Sequence, residues 1–398
     1  MNFKKHTIFF YIYKMIKRHI LKHLLKVARF FPAVTILGPR QSGKTTLAKI
    51  AFPKLPYTSL ENPDIRALAS EDPRSFLAKY PKGAIIDEIQ RVPHLLSYLQ
   101  EILDNSKHNG RFVLTGSHQP EIHAEISQSL AGRTGILRLL PLSIAELTSF
   151  GIEQDRDKYI LNGFMPAVYS KKIPPNLFYS NYYSTYVERD VRQLVQLNNQ
   201  KSFELFIKLL AGRIGQVVNL NSMAGDIGIS SVTLASWLSV LEASYIIFRL
   251  PCYFNNFGKR LIKSPKIYFT DVGLAAYLLG INSVEQISRD PLIGGLFENM
   301  VVAEALKQRY NSGKEAELYY FRDQKGFEID LILNESQSII PIEIKASRTY
   351  NASLADNIRK FISFSNSAKK SAVIYAGKEN GKINNVNFVN FKNTTSVL

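Results

Sequence analysis

Lys44 and Thr45 close the run Gly38-Pro39-Arg40-Gln41-Ser42-Gly43-Lys44-Thr45-Thr46, a complete G-x-x-x-x-G-K-T preceded by the apolar residues Ala33 to Leu37. With a buried strand before it and a helix after it, such a loop turns successive backbone N–H groups inward on phosphate oxygens, and the helix adds its positive end. Lys44 then reaches the β- and γ-phosphates, and Thr45 offers its hydroxyl to Mg²⁺. A glycine turn that happens to carry a lysine is the plainer alternative, and the full motif in its strand-turn-helix setting argues against it. The expected ligand is ATP with Mg²⁺.

About forty residues on, the apolar run Ala84-Ile85-Ile86 ends in Asp87 and Glu88. An aspartate at a strand end holds Mg²⁺ through water, and a neighbouring glutamate orients the water that attacks the γ-phosphate. The next strand, Arg111 to Leu114, runs into Thr115-Gly116-Ser117. Ligands of open α/β sheets collect at the carboxyl ends of strands, so Thr115 or Ser117 can sense the γ-phosphate or hold the water; a simple strand-end turn is the alternative. Arg133, in Ala131-Gly132-Arg133, is a candidate for placing positive charge on the transition state, in its own site or in that of a neighbour in a homo-oligomer. A surface ion-pair arginine is the other reading.

The last hundred residues hold a second constellation. Asp330 stands in Glu328-Ile329-Asp330-Leu331-Ile332, and Glu343-Ile344-Lys345 puts Glu343 and Lys345 on one face, because strand side chains alternate. With Glu298 from a helix over 295–310, these residues can converge on one cation. Glu298, Asp330 and Glu343 would bind Mg²⁺ or Mn²⁺, and Lys345 would steady or activate a water attacking a phosphodiester. Paired exposed charges on a mixed sheet are the alternative, but unpaired acids in apolar strands are costly.

The elements that must position these groups are legible in outline. The 398 residues, 45% hydrophobic and 21% charged, suit a globular chain of two or three domains. Residues 15–150 read as the nucleotide-binding domain, 151–215 as a helical connector, 216–280 as a helix-turn-helix followed by two strands, and 290–398 as the second α/β region. Tyr179, Tyr182, Tyr183 and Tyr186 recur at helical spacing, a pattern more often core than a binding platform. Glu188, Arg189 and Asp190 follow them and suit an interdomain ion pair.

In the helix-turn-helix, Gly228 allows the turn and Ser230 or Ser231 caps a second helix with Leu234, Trp237, Leu238 and Leu241 inward. That helix exposes Ser231, Thr233, Ser236 and Ser239, with no lysine or arginine to read bases. The wing carries Arg249, Lys259, Arg260, Lys263 and Lys266, so nucleic acid, if bound there, is held without sequence preference. An adaptor packed between domains explains the same residues.

Charge is placed unevenly. Residues 1 to 60 contain twelve Lys or Arg and no Asp or Glu, which leaves +5 of the net +17 for the other 338 residues. This end favours phosphate-rich partners or an anionic surface. From Met15, residues Ile16, Ile20, Leu24, Ala28 and Phe31 recur at helical spacing, with Lys17, Arg18, Lys22, Lys26 and Arg29 on other faces. This helix suits packing on the nucleotide-binding domain better than a nucleic-acid or membrane contact. The apolar run Ile8 to Tyr13 is too short to cross a bilayer, and no cleavage pattern follows it. Residues 1–14 read as an extension, leaving Met1 or Met15 as the start. Cys252 is the single cysteine, so no intrachain disulfide forms, and a reducing cytoplasm fits.

Taken in order, GPRQSGKTT from Gly38, IIDEIQRVPHLL from Ile85, LTGS from Leu114, SLAGRTGILRLLPLS from Ser129, YVERDV from Tyr186, PKIYFTDVGL from Pro265, FENMVVAE from Phe297 and IEIKAS from Ile342 resemble the AAA_14 ATPases joined to a DUF4143 region. The resemblance implies a P-loop NTPase of the additional-strand (ASCE, AAA-type) class with a parallel sheet. It also implies a winged helix after the helical linker and a C-terminal α/β fold similar to PD-(D/E)XK nucleases. By motif it gives Lys44, Thr45, Asp87 and Glu88 the ATPase roles, and Glu298, Asp330, Glu343 and Lys345 the nuclease-like ones. The leading function is an ATPase that acts on nucleic acid, its nucleotide state gating a metal-dependent cleaving or DNA-holding module; the alternative is an ATP-driven switch whose C-terminal region binds a partner and cleaves nothing.

Overall fold

The structure is a computed structural model that describes residues 15–106, 108–117, 129–191, 200–253, 264–335, 338–365, 368, 370–383 and 385–398, without the side chains of 188–190. The Glu188, Arg189 and Asp190 side chains, the extension 1–14 and the wing cations Lys259, Arg260 and Lys263 lie outside the described residues.

The N-terminal sheet has five strands: β1 (Ala33–Leu37), β2 (Tyr57–Ser59), β3 (Ala84–Asp87), β4 (Phe112–Gly116) and β5 (Thr134–Arg138). All run parallel, in the order β2-β3-β4-β1-β5. Strand β4 is thus inserted between β1 and the acid-bearing β3, as expected for the additional-strand class. β1, β3 and β4 are buried along their whole length, the burial that unbroken apolar runs predict for parallel strands covered on both faces. One face carries Leu77, Leu95 and Leu99; the other carries Ile20, Leu24, Leu47 and Leu137.

The expected N-terminal helix is shorter than its periodicity suggests, Leu21–Val27, and it lies against the sheet. A Cβ on Gly135 would come within 2.0 Å of Val27, so the glycine in β5 admits that packing. Ile20, Leu24 and Ala28 are buried as the pattern requires. Arg18 was expected on an outer face; instead it is buried, because its guanidinium finds fixed acceptors beneath the phosphate loop.

Beyond Leu140 one apolar cluster runs on to Phe391, joining the connector, the helix-turn-helix and the C-terminal region. The tyrosine stripe lies in it: Tyr179 and Tyr182 pack against Phe178, and Tyr182 against Tyr186, in helix Pro175–Tyr182 and the π-helical stretch Tyr183–Val191. Asp271 caps helix Val272–Leu278 and also accepts from Tyr179 Oη (2.6 Å) and the Phe164 N–H (2.7 Å), so one buried acid ties three segments.

Helices Leu220–Ile227 and Ser231–Ala243 cross at 106°, with Gly228 in the left-handed region at the turn, and β6 (Ile247–Leu250) pairs antiparallel with β7 (Lys266–Phe269). Together the two helices are apolar enough for a bent membrane span, but Leu234, Trp237, Leu238 and Leu241 face the core. Among the described residues no single helix is long and apolar enough to cross a membrane.

The C-terminal sheet has six strands, β8 (Leu318–Arg322), β9 (Glu328–Glu335), β10 (Ser338–Lys345), β11 (Ala372–Tyr375), β12 (Gly381–Ile383) and β13 (Val386–Asn390), ordered β12-β13-β11-β10-β9-β8. Strands β8, β9 and β10 form an antiparallel meander, and β10-β11-β13 are parallel. Helix Ile293–Asn311 is buried nearly all round and packs on β10 and β7, which makes it the hub of the C-terminal half.

Candidate nucleotide site and acidic C-terminal site

Strand β1 delivers the chain to the phosphate loop at the carboxyl end of the sheet, and helix Lys44–Ala51 leads away from it. Gly38 lies so close to the following strand's extension that a Cβ would sit 2.1 Å from the Leu139 carbonyl oxygen. Gly43 has φ 94° and Gln41 φ 61°, the left-handed turns that wrap the loop. Pro39 and Thr46 complete the run on either side of this turn; Ser42 is buried, its hydroxyl without a hydrogen-bond partner among the described residues. Arg40 reaches outward to Glu61 (2.9 Å) and over the Tyr186 ring (5.8 Å).

Lys44 Nζ is buried and donates to the carbonyls of Gly38 (3.0 Å) and Pro39 (2.8 Å). Burial pulls its pKa down to about 8; Glu88 and Asp87 oppose that shift and Arg40 adds to it.

Asp87 gathers the hydroxyls around it. Thr45 Oγ1 lies 3.0 Å from both carboxylate oxygens, Tyr57 Oη donates at 2.8 Å, and Thr115 Oγ1 donates to Oδ1. The register explains Thr115: Ile86 pairs with Leu114, so the next residues on the two strands face each other. The Thr45 hydroxyl and the Asp87 carboxylate are the hard oxygen donors Mg²⁺ takes, so these residues fit that ion. Glu88 is left-handed (φ 59°, ψ 47°), an unfavourable conformation for a glutamate, and its carboxylate accepts from Gln90 Nε2 and from Ser117 Oγ (3.3 Å). Strain of this kind persists where surrounding contacts impose it, often at functional sites.

Arg133 does not join this group in its own chain. It precedes β5, whose first residue pairs with Ala33, whereas the loop follows Leu37 at the other end of β1. A strand length, roughly 13 Å, therefore separates the two. Arg133 donates instead to Asp104, Nη2 to Oδ2 at 3.0 Å, away from the phosphate loop of its own chain.

In the C-terminal region the β9–β10 ladder ends at Ile342–Leu331, and Asp330 takes the next free N–H, that of Ile344 (2.8 Å). Lys345 Nζ reaches Asp330 Oδ2 at 3.1 Å and also contacts Glu343. Glu343 is 1% exposed, and neither of its oxygens accepts a well-formed hydrogen bond. Burial, with Asp330 beside it, pushes its pKa up to about 8. For Asp330, burial opposes ionisation, but Lys345 and Lys266 outweigh it and hold the pKa below the ordinary aspartate value.

Glu298 is paired with a different lysine. It accepts from Lys266 Nζ (2.8 Å) and Tyr268 Oη (2.6 Å), and burial raises its pKa to about 7. Lys266 also contacts Glu328 at 2.5 Å. Among the described residues no three carboxylate, imidazole or thiolate groups are arranged to hold a metal. The three-carboxylate site is therefore corrected at Glu298, whose carboxylate pairs with the buried Lys266 ammonium that Glu328 also contacts, while Asp330 and Glu343 stand together at Lys345. Lys266 is likewise no wing cation, and Arg249 is engaged by Glu242 (2.9 Å) and Ser239 (3.1 Å).

Residues 31–148 match the family model AAA_14, an AAA domain; residues 153–285 match DUF8612 and residues 293–393 match DUF4143, both domains of unknown function. A protein of Mycobacterium tuberculosis described as uncharacterized protein Rv2008c is 30% identical over 366 residues, covering 91% of this chain and 80% of the relative; Mb2031c of Mycobacterium bovis matches to the same extent. The chain belongs to this AAA_14–DUF4143 family. Among solved structures, the Walker-type ATPase PABY2304 of Pyrococcus abyssi is 13% identical with a TM-score of 0.42, covering 66% of this chain and 96% of that one. AMPPCP-bound DnaA from Aquifex aeolicus is 15% identical with a TM-score of 0.29, covering 56% and 86%.

The AAA_14 match and the loop 38–46 at the end of β1 make this an AAA-type P-loop NTPase domain, and its site includes two side chains that motif reading did not single out. Tyr57 opens β2 next to β3, and Gln90 follows the acid pair by two residues in Asp87-Glu88-Ile89-Gln90. The adjacency of Gln90 was a usable signal; Tyr57 depends on strand order.

The DUF4143 region yields a stability prediction. The Glu343 carboxyl loses its proton near 4.5 when unfolded and near 8 when folded, so the folded state holds the extra proton in between, and stability falls as pH rises through that window. Glu343→Gln removes that loss. The variant should melt about 2 °C above wild type at pH 8.5, and the two should converge at pH 5, as read by scanning calorimetry. A constant gap across this range would show that Glu343 does not titrate there.

Proposed function

We propose that the protein is an ATP-driven switch: it binds and hydrolyses ATP at the loop 38–46, and its nucleotide state sets the condition of the C-terminal region, which acts by binding a partner. The observation that carries this reading is the convergence of Thr45, Asp87, Glu88, Thr115 and Ser117 beside the phosphate loop. Lys44 grips the phosphates, Thr45 and Asp87 hold Mg²⁺, and Glu88, set by Ser117 and Gln90, orients the water. Support for a non-cleaving C-terminal region comes from Lys266, which pairs with Glu298 and Glu328 and so takes Glu298 away from the group of Asp330, Glu343 and Lys345.

A second reading, metal-dependent action on nucleic acid, is favoured by Glu343, whose buried carboxylate lies beside Asp330 and Lys345 with neither oxygen well hydrogen-bonded. The experiment is nicking of plasmid and single-stranded DNA with Mg²⁺ or Mn²⁺, comparing wild type with Asp330→Ala and Lys345→Ala. The switch reading expects equal background in all three. Cleavage by wild type that both variants lose would establish the nucleic-acid reading in its place. DNA binding through residues 254–263 or the basic N-terminal end would fall steeply with salt.

A further inference from the structure

We propose that Arg18 is a positioning residue of the nucleotide site, holding the Ser42–Gly43 peptide of the phosphate loop in the orientation that receives phosphate. The inference rests on the reading of this loop as the ATP site. Arg18 is 9% exposed and lies twenty residues before the motif. Its guanidinium makes three directed contacts: Nη1 donates to the Ser42 carbonyl at 2.7 Å, Nη2 to the Leu140 carbonyl at 2.7 Å, and Nε to Glu146 at 3.1 Å. A Cβ on Gly43 would sit 3.8 Å from Nη1, so the arginine lies directly behind that glycine.

The geometry gives these contacts a consequence. A peptide unit is planar and trans, so its C=O and N–H point in opposite directions. Fixing the Ser42 carbonyl on Arg18 therefore turns the Gly43 N–H the other way, into the hollow of the loop. An empty phosphate loop aims several N–H dipoles at one point, where they repel one another; the relief open to it is a peptide flip, most easily at glycine. Here that flip must break a charge-assisted hydrogen bond, roughly twice as strong as a neutral one.

The arginine is itself fixed. Glu146, wholly buried, accepts from Arg18 Nε, the His19 N–H (2.7 Å) and the Ser143 N–H (2.9 Å), and Arg18 with these bonds keeps it ionised despite burial. The anchor at Leu140 adjoins Leu139, whose carbonyl backs Gly38, so both ends of the loop are pinned to one segment. A lysine cannot replace this arrangement, since it lacks the planar fork that spans three acceptors.

The test is nucleotide affinity of Arg18→Met, Arg18→Lys and Glu146→Gln in the full chain, measured by titration calorimetry with ATP and Mg²⁺, beside thermal melting without nucleotide. Lys17→Met, which removes an exposed charge one residue away, controls for general electrostatics. We expect Kd to rise about tenfold in Arg18→Met and less in Arg18→Lys and Glu146→Gln, with Lys17→Met unchanged and kcat reduced less than KM is raised. A purely structural role would lower the melting temperature and the active fraction while the remaining sites kept wild-type Kd, and that result overturns the proposal. If Arg18→Met does not fold, wild-type Kd in both Arg18→Lys and Glu146→Gln overturns it equally. Absence of ATP binding in wild type would instead sink the ATP-site reading on which this one rests.

Discussion

Lys44→Ala is expected to weaken ATP binding by about two to three orders of magnitude. Among the described residues the ammonium donates to the Gly38 and Pro39 carbonyls, and burial holds its pKa at about 8. Phosphate oxygens replace neutral acceptors with charged ones, and hydrogen bonds to a charged group contribute about 1.5–3 kcal/mol each. Two such bonds give about 3–6 kcal/mol, and giving up the two carbonyl contacts leaves about 3–4 kcal/mol net, or two to three decades in Kd. The apo protein should lose little stability, because the deleted charge is one that burial penalises. The measurement is the ATP-induced rise in melting temperature, present in wild type and absent in Lys44→Ala.

The same lysine sets a pH dependence. Its charged form binds phosphate, and its free-state pKa is depressed to about 8, so affinity is flat below that value and falls above it as the site must take up a proton. Calorimetry at pH 9 in two buffers of different ionisation enthalpy should detect that uptake in wild type only. Unchanged affinity in Lys44→Ala would remove this residue from the phosphate site.

What the sequence disclosed and what it withheld follow one physical division. The phosphate loop, Asp87 and Glu88 were legible because their chemistry needs neighbours in the chain: glycines at fixed spacing, an apolar strand, acids at its end. The gathering of Asp330 with Glu343 and Lys345 was legible for a similar reason, since strand alternation puts Glu343 and Lys345 on one face and β9 pairs antiparallel with β10.

Arg18 and Lys266 were misread because their partners are distant. Arg18 bonds residues 24, 122 and 128 positions away, and Lys266 bonds Glu298, 32 positions on. Each looked like one more surface cation in a basic stretch, and only the tertiary fold shows a carboxylate waiting for it. Glu298 left the expected three-acid set because of Lys266, for an ammonium from β7 has the charge and reach to occupy the space between Glu298 and Glu328. Glu304 has a distant partner too: it accepts from the Ile144 N–H at 2.8 Å, at the start of the helix that carries Glu146. Through it, helix Ile293–Asn311, which bears Glu298, is bonded to the segment that backs the phosphate loop. That connection gives the proposed switch a continuous physical route, one that spacing along the chain could not reveal.

Glu88→Gln should leave ATP binding within threefold of wild type and reduce turnover by about a hundredfold or more. Amide and carboxylate have nearly the same shape, so Gln90 and Ser117 still hold the side chain, and Lys44, Thr45 and Asp87 are untouched. What is lost is the negative charge that polarises the attacking water, and a positioned base contributes typically 10²–10⁴-fold. Asp87→Asn should behave differently, because Asp87 collects Thr45, Tyr57 and Thr115 at once and stands in the Mg²⁺ set; both affinity and rate should fall there. Single-turnover hydrolysis, compared with equilibrium binding of ATP, separates the two variants. Normal hydrolysis by Glu88→Gln would move the water-orienting role to another group, and the left-handed backbone at Glu88 would then need a structural explanation. If instead the Gln variant traps ATP without hydrolysing it, it supplies the ATP-bound form in which the state of Lys266 and the C-terminal acids can be read directly.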